Sequence, residues 1–148
     1  MPTWQLRRRV YTRVVGDLAR LASEAYDPAK GLDVVAGILA QSERAMMVVN
    51  GDSGEIIRAN DAAYELFGRP LVGANLSRLI PERHRLAHER HRKDFMEHLI
   101  ARPLSARFDV PATTKDRGET VVRIGLTPIA QTRLVIAEID QLADQAPV

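Results

Sequence analysis

The residues best suited to chemistry lie together between Pro81 and Ile100, PERHRLAHERHRKDFMEHLI, which holds all four histidines of the chain. His84, His88 and His91 stand at i, i+4 and i+7, and Phe95 and His98 continue the line. On a helix these positions form one stripe. Imidazoles so arranged offer metal ligation or, beside Asp94 and Glu97, acid–base chemistry. For zinc, the pair His84/His88 lacks partners, because the chain has no cysteine and no carboxylate is placed as a third ligand. For catalysis, no nucleophile elbow, phosphate loop or paired carboxylates accompany the histidines. The plainest reading makes His88 a core histidine bonded to a backbone carbonyl and leaves His84 and His98 facing solvent. Arg83, Arg85, Arg90, Arg92 and Lys93 then form a solvated face. They lack the interleaved aromatics or adjoining helix-turn-helix of a nucleic-acid surface.

The stripe must be carried by a helix. Pro81 suits its first turn, it is expected to run to about Ala101, and Arg102-Pro103 ends it. Upstream, Ala45 to Val49 is an apolar run that reads as a buried strand. Asn50-Gly51-Asp52-Ser53-Gly54 supplies turn chemistry, including residues tolerant of positive φ, and Glu55 to Ala59 returns. Asn60 or Asp61 caps a short helix carrying Ala62, Ala63, Leu66 and Phe67, which Gly68 ends. Asn75 or Ser77 caps another turn before Pro81. Downstream, Ala106, Phe108 and Val110 alternate as a strand, Pro111 to Gly118 reads as a polar connection, and Glu119 to Ile129 alternates again. Gln131-Thr132 is a tight turn before a last strand, Arg133 to Ile139.

At the N-terminus, Thr3 to Ala25 has a helical period. Its seam of Trp4, Tyr11, Leu18 and Ala25, with Val14 and Leu21 between, is heptad-like and points to a homodimer interface. Asp27 to Gly31 reads as a break, and Leu32 to Leu39 as a second short helix. At 148 residues, 45% hydrophobic and 27% charged, the chain is expected to form one globular domain. The absence of cysteine excludes disulfides and thiolate sites. No apolar run approaches the ~20 residues that span a bilayer. A cytoplasmic protein is expected, and the net charge of +2 does not argue for nucleic acid.

The order strand, turn, strand, Asn-capped helix, Gly resembles the opening of a PAS domain, whose pattern G-x-I-x-x-x-N-x-A-x-x-x-L-x-G is carried by Gly54, Ile56, Asn60, Ala62, Leu66 and Gly68. The resemblance extends to about Asp140. It implies an α+β fold, a five-stranded antiparallel sheet with helices on one face, plus an N-terminal helical extension. Residues 1–41 would be that extension, 42–142 the PAS domain and 143–148 a tail. It also implies a sensory or regulatory module rather than an enzyme. A small ligand or cofactor would lie between the Pro81–Ile100 helix and the sheet. Output would pass through the dimer and a separate signalling protein such as a kinase, cyclase or transcription regulator. A ligand-free interaction module with a filled core is the alternative. Light sensing through a flavin adduct or a thioester-linked chromophore lacks its cysteine.

Ile80, Pro81, Glu82, Arg85 and His88 further resemble the I/M-P-E-x-x-R-x-x-H segment of haem-binding oxygen-sensor PAS domains. On that match His88 would ligate the iron, His91 and Phe95 would lie against the macrocycle, and Arg107 would serve the distal side, although Phe108 holds the strict register.

Overall fold

The computed structural model describes residues 28–142. The expected interface residues Trp4, Tyr11, Val14, Leu18 and Leu21, and the tail 143–148, lie outside the described residues. Five strands, β1 (Ala45–Asn50), β2 (Ile56–Ala59), β3 (Phe108–Thr114), β4 (Gly118–Pro128) and β5 (Leu134–Gln141), form one antiparallel sheet in the order β2-β1-β5-β4-β3. Helices α1 (Pro28–Leu39), α2 (Asp61–Phe67) and α3 (Arg85–His98) and short 3₁₀ turns complete the fold.

The sheet is covered on both faces. On the inner face, Met47, Val49, Val122, Val135 and Ile139 pack against Ala63 and Phe67 of α2 and Phe95 and Met96 of α3. On the outer face, Val35 and Leu39 of α1 close over Met46, Val48 and Ile136. This double cover explains why β1 and β5, central in the sheet, read as continuous apolar runs rather than alternations. Each fully buried valine, leucine or isoleucine contributes about 1.5–3 kcal/mol over its exposed state.

Asn60 ties the two layers together. It is buried, and its Oδ1 accepts from Ala63 N (3.0 Å) as the N-cap of α2 and from Met46 N (3.0 Å). Its amide nitrogen donates to Leu39 O (2.9 Å) at the end of α1 and to Arg44 O (2.8 Å) before β1. Gly68 ends α2 with φ 65°, as its position in the sequence suggests.

Four expectations need correction. Pro28 does not break the chain but opens α1, a position where its missing N–H costs nothing. α3 stops at His98, earlier than expected, because Leu99 turns left-handed (φ 48°) and Arg102 pairs with Leu126. Ala106 belongs to a 3₁₀ turn, Leu104–Ala106, and left-handed Arg107 (φ 56°) delays β3 to Phe108. Pro111 lies inside β3, paired with Val121, so the polar connection shrinks to Lys115–Arg117. Proline is tolerated there because β3 is an edge strand. The other edge, β2, is bordered by residues 73–76: Ile56 N donates to Ala74 O (2.9 Å) and Gly73 N to Ile56 O (2.9 Å).

The β1–β2 turn holds a further difference. Gly54 has the positive φ (81°) that the turn chemistry suggests, but Gly51 does not. At Gly51 a Cβ would instead meet the Met96 side chain of α3, which would have to shift to admit it.

Candidate functional site

Between α3 and the inner face lies a cavity of ≈ 100 Å³. Its floor is Met47 and Val49 of β1, Val122, Ile124 and Leu126 of β4, and Val135, Ala137 and Ile139 of β5. Phe108, Val110 and Ala112 of β3 form one side, and Phe67, Leu79, Phe95 and Met96 close it from the helical layer. These positions follow from strand periodicity, because alternate residues of each strand share a face. Among the described residues, four polar side chains line the cavity, His88, His91, Arg92 and Arg102, and no carboxylate does.

His88 is half-buried on α3. Burial above all, with the charges of Arg92 and His91, holds its imidazole below 6.5, so it is neutral at pH 7. His91 is exposed and meets Phe108 edge-on, ring centroids 6.2 Å apart. The Arg102 guanidinium carbon lies over the rings of Phe108 (4.9 Å) and Phe95 (5.6 Å). Arg92 works differently. Its Nη1 donates to Gly51 O (2.6 Å) and to Asp52 O, and so fastens α3 to the β1–β2 turn. Asp52 in turn makes a two-pronged pair with Arg133 (2.6 and 2.7 Å), immediately before β5. The hydrogen bonds from Arg133 hold the Asp52 carboxyl below its usual range.

α3 is held unevenly. Phe95 and Met96 are its buried residues, both in the C-terminal half, and Arg85 to Arg90 contribute no buried side chain. The helix also starts without a side-chain cap. Its N-terminal half is therefore the part of the cavity wall that moves at least cost in apolar burial.

Of the residues singled out in the sequence, His88, His91 and Phe95 come to the cavity wall together. Arg107 does not. It is exposed, outside the lining, because the 3₁₀ turn before β3 places Phe108 inward. Arg102, which the sequence reading assigned to the end of a helix, takes the place beside the cavity. The stripe also divides along its length, since His84 and His98 are not in the lining. Asp94, Glu97 and His98 bring ligand atoms within 4.8 Å of one another, but all three are exposed.

Neutral imidazole at His88 is the donor that a haem iron takes. The space is not. At ≈ 100 Å³ it is well below the roughly 300–1,000 Å³ of sites that enclose a ligand of drug or cofactor size. A rigid macrocycle does not fit this arrangement of α3 and the sheet.

A PAS domain family model matches residues 44–139. A search of curated protein sequences finds no match. Among solved structures, the chain is similar to the Rhodobacter sphaeroides LOV protein, with a TM-score of 0.66 at 11% identity over 80% of this chain and 70% of that one. It is also similar to the PAS domain of the Cronobacter turicensis RpfR quorum-sensing receptor in complex with C12:0 (TM-score 0.55, 14% identity, 71% and 99% covered). A third is the PAS domain of an HTR-like protein from Haloarcula marismortui (TM-score 0.58, 13% identity, 77% and 99% covered). At these identities the likeness is one of fold.

Proposed function

The chain belongs to the PAS domain family, and from that premise we propose that it is a non-catalytic sensory module that takes a small, largely apolar ligand between α3 and the sheet. The observation that carries this reading is the apolar cavity, which draws its lining from four of the five strands and from α3, whose N-terminal half buries no side chain. A ligand that binds one position of α3 better than another shifts the helix toward that position. The route outward is short. α3 is tied by Arg92 to the β1–β2 turn, and that turn by Asp52 to Arg133 at the start of β5. A displaced α3 therefore pulls on the β4–β5 hairpin, and through it on the surfaces available to a partner.

Filling the floor of the cavity tests the reading. In the parent protein, titration with hexanol is expected to move the methyl resonances of Val122, Leu126 and Val135. In Ala137→Leu, the added carbons occupy the space at the centre of β5, and the same titration is expected to leave those resonances still. A parent protein that shows no shifts with hexanol would remove the ligand site.

Output is proposed to run through a homodimer formed by residues 3–25 and a separate cytoplasmic signalling protein. Size in solution checks the first part. The double substitution Leu18→Asp and Leu21→Asp is expected to halve the apparent mass, and an unchanged mass would place the interface elsewhere.

A further inference from the structure

We propose that the cavity selects an amphipathic anion, an apolar body ending in one carboxylate, with Arg102 as the residue that binds the head group. The proposal rests on the cavity being a ligand site and adds the chemical class of its occupant. The polar groups of the lining are all basic or neutral, and apart from His88 they fall in two places: Arg92 at the β1–β2 turn, and His91 with Arg102 beside Phe108 of β3. His91 is exposed and the Arg102 side chain is about one-third exposed, so this second place reaches solvent, while Phe67 and Leu79 are buried. A ligand seated with one end at Arg102 therefore has its remainder among hydrocarbon.

Of those basic groups, Arg102 is the one placed to receive a ligand. Its backbone is locked beside the cavity by two hydrogen bonds with Leu126 (2.8 and 2.7 Å). Its guanidinium carbon lies 4.9 and 5.6 Å from the centroids of Phe108 and Phe95, a cation–π contact that restrains the side chain without using its N–H groups. The ion pair it makes among the described residues, with Asp94 Oδ2 at 4.0 Å, is too long for a hydrogen bond. Arg92 is committed to the turn carbonyls and lies 3.9 Å from Glu89. His88 is neutral. A guanidinium about one-third exposed, beside a lining without carboxylates among the described residues, favours a carboxylate, which can take two parallel N–H bonds from it. The enclosed volume sets the body at a short hydrocarbon chain in this position of α3, and longer chains need α3 to move outward, at least cost in apolar burial at its N-terminal half.

The test compares three six-carbon probes on the full chain: hexanoate, hexanamide and hexanol, each read by the methyl resonances of the lining. Hexanoate is expected to bind roughly tenfold or more tightly than hexanamide, the worth of a charge-assisted pair in a partly dry site. Arg102→Gln is expected to bring hexanoate and hexanamide to parity. Equal binding of hexanoate and hexanamide by the parent protein overturns the proposal, as does a preference for hexanoate that survives Arg102→Gln. Either result, with hexanol bound, leaves the ligand site standing. No shift with any of the three overturns both. The parent protein's ratio of hexanoate to hexanamide decides the matter even where Arg102→Gln fails to fold.

Discussion

Asn60→Ala is expected to lower the free energy of unfolding by about 4 kcal/mol, the largest effect of any single substitution considered for this chain. Loss of the N-cap alone costs about 0.5–2 kcal/mol. The remainder comes from groups the side chain leaves behind. Met46 N–H, Leu39 C=O and Arg44 C=O each lose a hydrogen bond, and losing a buried bond of this kind costs roughly 1–3 kcal/mol where no other partner or water replaces it. Against a total stability of about 5–15 kcal/mol, such a loss is near the limit a domain survives. Asn60→Asp separates the contributions. It keeps the two acceptor bonds to Ala63 N and Met46 N but turns oxygen toward the carbonyls of Leu39 and Arg44. That variant should gain stability as pH falls and its carboxyl takes up a proton to donate. Urea unfolding at pH 5 and pH 8 measures both. A loss of under about 1.5 kcal/mol in Asn60→Ala would mean that water replaces the amide, and that the side chain is a cap and nothing more.

The second large effect is a dependence on pH set by Glu138. This residue lies on the outer face of β5, between Met46 and Gly125 across the ladder, and is 3% exposed. Its Oε2 has no hydrogen-bond partner among the described residues. Burial pushes its carboxyl from 4.5 up to about 7, opposed by Arg44 and helped by Asp140. The folded chain therefore holds its proton more tightly than the unfolded chain does. Below about pH 4.5 both states are protonated and folding carries no penalty. Between there and about pH 7 the unfolded state gives up the proton first, so stability falls as pH rises, by about 3 kcal/mol in all at roughly 1.4 kcal/mol per pH unit. Glu138→Gln is expected to match the parent protein near pH 4.5, to exceed it by about 2–3 kcal/mol at pH 8, and to flatten the curve between. Parallel curves for the two proteins would show that the carboxyl reaches water or a cation in the folded state.

Much of this architecture was legible because its signals are local. The Asn50–Gly54 turn, the cap at Asn60 and the stop at Gly68 each depend on residues within a few positions of one another, and the α+β sheet follows from them and from the alternation in β4. The cavity wall was half legible. His88, His91 and Phe95 share a face at helical spacing, which a periodic reading finds. That Arg102 rather than Arg107 lines the cavity is not visible in the sequence, because two non-glycine residues, Leu99 and Arg107, take positive φ and reset the chain between α3 and β3. No residue type announces such a turn. Pro111 misled for a related reason. A proline breaks a central strand but is admitted at an edge, and strand order is decided by pairings far apart in the chain. Likewise the cap at Asn60 is visible in the sequence, while its bonds to Leu39 and Arg44, some 20 residues away, depend on how the layers meet.

The borders of the sheet bear on how this protein can associate at all. On one side the loop 73–76 already takes up the N–H and C=O of Ile56 at the start of β2, and on the other a proline interrupts the donors of β3. Neither margin offers an uninterrupted row of main-chain groups, among the described residues, for a foreign strand to zip onto. Growth by strand exchange, the route to fibres and to indiscriminate pairing of sheets, is thereby hindered at both ends. Backbone pairing is nearly blind to sequence, whereas a side-chain surface changes with each substitution. The margins of this sheet thus hinder the kind of contact that mutation can least make selective.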